Sequence, residues 1–369
     1  MDTAGIICEF NPFHQGHRYL IEQVRKAGAR RIVCIMSGCF VQRGQPAVSD
    51  KFERARSAVE GGADLILELP SVYAVNSADY FACGGVRILK QLGCVDTIAF
   101  GSECGDAAAL KAAAMLEENS LFKDVLRRSL EEGMSYPASY SKAALSADPD
   151  IDALLLSSPN NTLAICYLRE NIRQNAGLSP FTVRRTFPYS ASDIRKNMAS
   201  DKAVLEREKI FFALLRQKIA DCSREEISNI CEVTEGLENR IADALEKASD
   251  TDDLIKSIKS SRYTYAKISR ILTQMLLGIT KDIIRASEKK EIAYAKVLAL
   301  NETGASVLKD ARTEGRIPIL SNINKNTVND DIRPVLNIDI NSSNLYSILC
   351  GRVINEYSDR VRIPIIMKI

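Results

Sequence analysis

The chain has 369 residues, 46% hydrophobic and 26% charged, with 49 basic and 47 acidic side chains and a net charge of +2. Its length exceeds one ordinary domain of roughly 100–200 residues, and its composition is that of a globular protein with apolar cores. The charge balance excludes a histone-like polycation while leaving room for a local phosphate-binding patch, and 6% aromatics without any Trp argue against a carbohydrate-stacking surface.

In chain order, residues 4–10 form a short apolar run that reads as a buried strand. Residues 16–26 carry apolar positions at helical spacing, and 31–36 is a second apolar run. A helix is predicted over 50–60 with Asp50 near its start, then a strand over 64–69 that stops at Pro70. Residues 77–91 read as helix and 95–100 as strand, leading into Gly101-Ser102-Glu103. From 105 to 175 the pattern is mainly helical, and 181–185 is a further strand. Strands alternating with helices predict an α/β fold: a parallel sheet with covered faces in a doubly wound, Rossmann-like layout. Beyond 200 helix dominates, over 202–219, 235–247 and 265–279, with a strand-like run at 292–300 and another helix near 342–354. The division expected is 1–198 as the nucleotide-handling domain and 199–369 as a mainly helical domain.

The ten cysteines, at 8, 34, 39, 83, 94, 104, 166, 222, 231 and 350, include no Cys-x-x-Cys pair, and only two histidines are present. No zinc or other metal site is expected from them, and thiols such as Cys34 within Arg-Ile-Val-Cys-Ile-Met read as small apolar side chains. No apolar stretch approaches the roughly 20 residues that span a bilayer, and no basic leader opens the chain, so the reading is cytoplasmic, with no membrane partner.

The strongest local signal is Glu9-Phe10-Asn11-Pro12-Phe13-His14-Gln15-Gly16-His17. A strand, an Asn-Pro turn and then His-x-Gly-His opening a helix make a phosphate-handling device. Gly16 admits close backbone approach, and the helix start offers free N–H groups to an anion. Imidazoles there can donate to oxygens on a transferring phosphorus. Both histidines of the chain fall inside this motif, which weighs against an ordinary surface turn. Farther on, Ser190-Ala191-Ser192-Asp193-Ile194-Arg195 places hydroxyls and a helix start beside a guanidinium fork, a second arrangement suited to phosphate.

The first motif resembles the HxGH signature of nucleotidyltransferases, and the second resembles that superfamily's other signature. With Met36-Ser37-Gly38, the stretch from Gln42 to Ala47, Leu67-Glu68-Leu69-Pro70, Phe100-Gly101-Ser102-Glu103, Pro159-Asn160-Asn161-Thr162-Leu163, Ile317-Pro318-Ile319-Leu320 and Ile323-Asn324-Lys325, the chain resembles the tRNA(Met) cytidine acetate ligase family along nearly its whole length. That resemblance implies adenylation of acetate by ATP and transfer of the acetyl group to the wobble cytidine of elongator tRNA(Met), forming N(4)-acetylcytidine without acetyl-CoA. It implies His14 and His17 as catalytic residues. It implies an ATP-binding set of Ile7, Cys8, Glu9, Phe10, Asn11, Pro12, Phe13, His14, Gln15, Gly16, His17, Arg18, Tyr19, Leu20, Gly101, Asn160, Asn161, Arg185, Ser190, Ser192 and Arg195. Only Thr186-Phe187-Pro188-Tyr189 separates Arg185 from Ser190, where the family leads one to expect a longer loop bearing Gly and His.

A carboxylate cannot acylate an aromatic amine at neutral pH without activation, and in-line attack on an α-phosphate asks for positioning and charge neutralisation. Mg²⁺ is expected on the phosphates, carried by the nucleotide with no protein ligand assigned; Glu9 reads either as its water-mediated partner or as a structural residue at a strand end. For RNA phosphates the candidates are Arg262, Lys267 and Arg270, with Arg184-Arg185 and Lys289-Lys290, because the run from Arg262 to Lys267 mixes basic and aromatic residues. Solvated helix faces and core tyrosines are the alternative reading of that run. Two other functions remain open at this point: a nucleotidyltransferase making a cofactor or activated small molecule, and a non-catalytic nucleotide- or RNA-binding protein.

Overall fold

The computed structural model describes residues 1–369 except 187–190, 199–200, 235, 290, 292, 324–328 and 369, and the side chain of Ser192. Strand β1 (Thr3–Cys8) leads through a loop into helix α1 (Gln15–Lys26), and β2 (Arg31–Ser37) follows. A small hairpin of β3 (Phe40–Val41) and β4 (Gln45–Pro46) precedes α2 (Lys51–Glu60), whose N-cap Asp50 accepts the Phe52 amide at 2.9 Å. Such a cap satisfies one of the four amides a helix start leaves unpaired. Next come β5 (Leu65–Leu69), α3 (Ala78–Leu92), β6 (Thr97–Ser102), α4 (Pro159–Arg173), β7 (Ser179–Arg184) and α5 (Ala191–Met198). The C-terminal half contributes α6 (Lys202–Asp221), α7 (Tyr265–Leu277), β8 (Ala295–Leu300), β9 (Ile319–Leu320), α8 (Arg333–Leu349) and β10 (Ile365–Ile366).

The sheet runs β10-β8-β5-β2-β1-β6-β7, with β9 paired to β8. The strands that the N-terminal half gives this sheet, β1, β2, β5, β6 and β7, are parallel, as the alternation of strand and helix leads one to expect. The difference lies at the β5 edge, where β8 from the C-terminal half pairs antiparallel. Every residue of β5 and β8 is buried, so leaving β5 as an edge would expose an apolar strand with unpaired amides. The strand-like run of the helical half therefore extends the first sheet.

Alternation along β2 sends its side chains to opposite faces. Ile32, Cys34 and Met36 pack with Ile21 and Val24 of α1 and with Phe52, Ala55 and Val59 of α2. Val33 and Ile35 pack with Val86 and Leu89 of α3 and with much of the helical half. Each such large side chain contributes about 1.5–3 kcal/mol relative to exposure. From β1 the chain passes to β2 and β5 on one side, then crosses to β6 and β7 on the other. The crevice at the carboxyl ends of β1 and β6 is thus the switch point where open α/β sheets bind ligands.

Candidate active site

The loop leaving β1 fills that crevice. Phe10 adopts φ +48°, a region costly for a side-chain-bearing residue. Burial offsets the cost: its ring meets Phe13 edge-on at 5.1 Å and His17 at 4.8 Å between centroids. Four hydrogen bonds then fix the loop. Arg54 Nη1 donates to the Glu9 carbonyl at 2.6 Å, and Glu9 Oε1 accepts the Gln42 amide at 2.8 Å. Asn11 Oδ1 accepts the Val48 amide at 2.8 Å, while its carbonyl accepts Arg195 Nη1 at 2.6 Å. Glu9 thereby braces the hairpin from the strand end through Oε1.

His14 caps α1 from an extended conformation, φ −146° and ψ 177°. Its Nδ1 accepts the Gly16 amide at 3.0 Å, and the His14 amide donates to Nδ1 of His17 at 3.3 Å. The two histidines form a reciprocal capping box in which both acceptors are imidazoles. They come together through this box, with His14 outside the helix, and their rings stack at 3.8 Å and 23°. A Cβ on residue 16 would lie 2.9 Å from Cε1 of His14, so the glycine makes room for its partner's ring.

That geometry decides the tautomers. With both Nδ1 atoms used as acceptors, each neutral ring carries its proton on Nε2, and two N–H donors are left for a ligand. Burial, with Arg185 and then Arg195 nearby, lowers the His14 pKa. Burial, then His14 and Arg185, holds His17 well below the ordinary imidazole range. Burial also lowers Arg195, with Arg43 adding repulsion and Glu9 partly compensating. Neutral donors backed by cations suit an oxyanion whose charge grows in the transition state.

The other sequence candidates fall at varying distances from this centre. Gly101, next to last in β6, has Arg185 Cγ 3.6 Å from where its Cβ would lie, at the paired ends of β6 and β7. Asn160 and Asn161 open α4 beside the β6 loop, where Glu103 holds them. Glu103 Oε1 accepts Asn160 Nδ2 at 2.7 Å, its Oε2 accepts the Asn161 amide at 2.9 Å, and Asn161 Oδ1 accepts the Glu103 amide at 2.9 Å. Asn161, 2% exposed, therefore shapes the loop with its side chain. Within 7–20, Ile7 is in the core, Cys8 Sγ donates to the Ile35 carbonyl, Leu20 packs beneath the sheet, and Arg18 reaches the Glu60 carbonyl. Pro12, Gln15 and Tyr19 lie along the same loop and helix start. Ser190 and the side chain of Ser192 lie outside the described residues, as do Phe187, Pro188, Tyr189, Lys290, Asn324 and Lys325.

Among the RNA candidates, Arg262 is half-buried and the Lys267 ammonium sits 5.1 Å from the Tyr263 ring centroid. Arg270 differs from the expectation of a phosphate contact. It is 8% exposed and forks onto Glu232, with Nε–Oε2 2.6 Å and Nη2–Oε1 2.7 Å. A guanidinium in such a bidentate pair is already neutralised.

Sequence reasoning misses Arg54, 1% exposed, which binds carbonyls of Glu9, Ser37, Gly38 and Ser49 and so ties together the ends of β1 and β2. The available signal was a lone Arg on the apolar stripe of Phe52, Ala55 and Ala58. Among the described residues no group of three or more His, Cys, Asp or Glu is placed to hold a metal ion, and no helix is long and apolar enough to cross a membrane.

Comparison with known proteins bears on the same centre. A family model of HIGH nucleotidyl transferases matches residues 1–208 and 187–360. The tRNA(Met) cytidine acetate ligase of Clostridium botulinum is 35% identical over 412 residues, covering 100% of this chain and 99% of the relative. That of Clostridium acetobutylicum is 34% identical over 408 residues, covering 100% of both. The fold matches the crystal structure of Thermotoga maritima TmcAL bound with alpha-thio ATP at a TM-score of 0.91, with 25% identity and both chains fully covered. By full-length identity, family signature and fold alike, the chain belongs to the tRNA(Met) cytidine acetate ligase family of HIGH nucleotidyl transferases.

Proposed function

We propose that the protein uses ATP to activate acetate and transfers the acetyl group to the wobble cytidine of elongator tRNA(Met), forming N(4)-acetylcytidine in the cytoplasm. An acetate oxygen attacks the α-phosphorus in line, pyrophosphate leaves, and acetyl-adenylate forms. The cytidine N4 then attacks the acyl carbon, AMP departs, and the amine loses a proton. Nε2–H of His14 and of His17 donate to the phosphate oxygens as charge builds there. Gly101, Asn160 or Asn161, and Arg185 line the nucleotide, and the family resemblance assigns Ser190, Ser192 and Arg195 to the pyrophosphate. Mg²⁺ arrives on the triphosphate as its counter-ion, and no protein ligand is assigned to it. The helical half, 199–369, offers the tRNA face through Arg262 and Lys267.

One observation carries this reading: two stacked imidazoles, both committed at Nδ1, present paired neutral donors beside Arg185 and Arg195 at the switch point. Labelled acetate, ATP and tRNA(Met) incubated with the protein should yield acetylated cytidine, whereas acetyl-CoA without ATP should yield none. Turnover with the thioester alone would overturn the proposed chemistry.

A further inference from the structure

We infer that Arg43, at the tip of the β3–β4 hairpin, contacts a backbone phosphate of the RNA beside the cytidine being modified; the inference rests on the tRNA-acetylating reading above. Three anchors define where this side chain sits. On one side, the Gln42 amide is bonded to Glu9 of the β1 loop at 2.8 Å. On the other, the Gly44 carbonyl accepts Ser269 Oγ at 3.1 Å and Thr273 Oγ1 at 2.7 Å, both from α7. Past the hairpin, the Val48 amide returns to Asn11 at 2.8 Å. Gly44 has φ +72°, and a Cβ there would lie 2.5 Å from the backbone N and Cα of Arg270, so the tip is pressed onto the helix. Consecutive Cα atoms are about 3.8 Å apart, which fixes Arg43 at the seam between the nucleotide crevice and α7.

The chemistry at that seam fits an external anion. Arg43 is exposed, and among the described residues no carboxylate pairs with it. Its charge acts on Arg195, whereas the cations acting on the imidazoles are Arg185 and Arg195. Arg43 therefore lies close enough to Arg195 for the two cations to repel, next to the Glu9 anchor of the hairpin. Along α7 from the Gly44 contact, Lys267 lies within one turn of Arg270, and Arg262 precedes the helix. With Arg270 neutralised by Glu232, the other basic positions along this seam are Arg43, Lys267 and Arg262, with half-buried Tyr265 at the start of the same helix. Single-stranded RNA is held in this way, by cations along its backbone and aromatic side chains beside them.

Two assays of the holoprotein separate this role from others. Acetate-dependent exchange of pyrophosphate into ATP needs no RNA, whereas acetyl transfer does. In Arg43→Gln the exchange should stay within about twofold of wild type, and KM for tRNA should rise about tenfold. One released counterion fewer should flatten the dependence of log Kd on log salt by about 0.7. Arg43→Lys keeps the charge and should recover part of the loss. An exchange rate that collapses, or a raised KM for acetate or ATP, would place Arg43 on the small substrates and overturn the inference. So would an unchanged KM for tRNA. Wild-type protein that exchanges no label with acetate would instead sink the parent reading, and this one with it.

Discussion

Each histidine of the site has two nitrogens and two tasks, and a substitution can separate them. Nδ1 of His14 caps α1, and Nε2 is the donor left for phosphate. Asparagine is among the preferred capping residues, so His14→Asn should keep thermal stability within about 0.5 kcal/mol of wild type. The same variant lacks the outward donor and should lose roughly 10²–10³ in acetate-dependent pyrophosphate exchange, the usual cost of one oxyanion donor. Full exchange activity in a folded variant would refute the assignment. The lowered pKa values supply a second test. Both imidazoles are neutral in the free protein and lie below the unfolded value of about 6.5. Their contribution to stability is therefore present above that value and is lost as pH falls through it, since the unfolded chain then binds more protons. A bound triphosphate favours the charged rings, so ATP binding should take up protons, and its stabilisation of the fold should grow between pH 7.5 and 6. Calorimetry in buffers of different ionisation enthalpy measures the uptake; release of protons would contradict the placement of phosphate against these rings.

At the scale of elements, α2 joins the site to the distant C-terminal segment. Its N-cap Asp50 pairs with Arg362 Nη1 at 2.8 and 2.9 Å and with Arg352 Nη1 at 3.2 Å. Lys51 Nζ reaches Glu68 Oε1 at 2.7 Å and Asp359 Oδ2 at 2.8 Å, and Lys296 forms ion pairs with the same two carboxylates. One turn later Arg54 holds the ends of β1 and β2. All four charges of the Lys51 cluster are buried, so removing one leaves an uncompensated ion. Asp359→Asn should cost about 3–5 kcal/mol in urea unfolding, and a loss under 1 kcal/mol would show that water reaches the cluster. The two lysines, outweighing the burial that opposes them, hold the Asp359 carboxyl down to about 2. Its share of stability should be whole above the ordinary carboxylate range, fall away progressively below that range as the unfolded chain takes up protons, and be gone by about pH 2. Little of this is legible in the sequence. The helix itself is readable from Asp50 and its apolar stripe, yet the partners of Lys51 and Arg54 are fixed by pairings across the whole chain. The His-x-Gly-His motif is legible for the opposite reason: its strand, turn and cap lie within one local stretch. Helix α8 begins at Arg333, well before the predicted 342, because Pro334 is tolerated in a first turn even though it reads as a breaker.

For the molecule as a whole, the sheet decides which parts can stand alone. Composition and periodicity suggest a cut near 198, between alternating strands and helices and a helix-rich remainder. The hydrogen bonding of β8 to β5, however, crosses that cut, with Leu65 opposite Leu300 and Ile66 opposite Ala299. Without residues beyond 198, β5 would become an open edge whose five residues, all buried in the full chain, lose their covering strand. Lys51 and Glu68 would lose Lys296 and Asp359 and meet water at the sheet's end. The apolar face packed against Ile271, Leu272 and Met275 of α7 and against Val335 and Leu336 of α8 would also be bared. An exposed apolar edge next to an uncovered face is an aggregation site rather than a domain surface. A fragment of residues 1–198 should therefore fail to give a cooperative urea transition by circular dichroism and should bind a hydrophobic dye, even though it carries His14, His17 and Arg195. A soluble fragment with a sharp transition and measurable ATP binding would show that the crevice needs neither β8 nor the helices behind it, and that the C-terminal half serves the RNA alone.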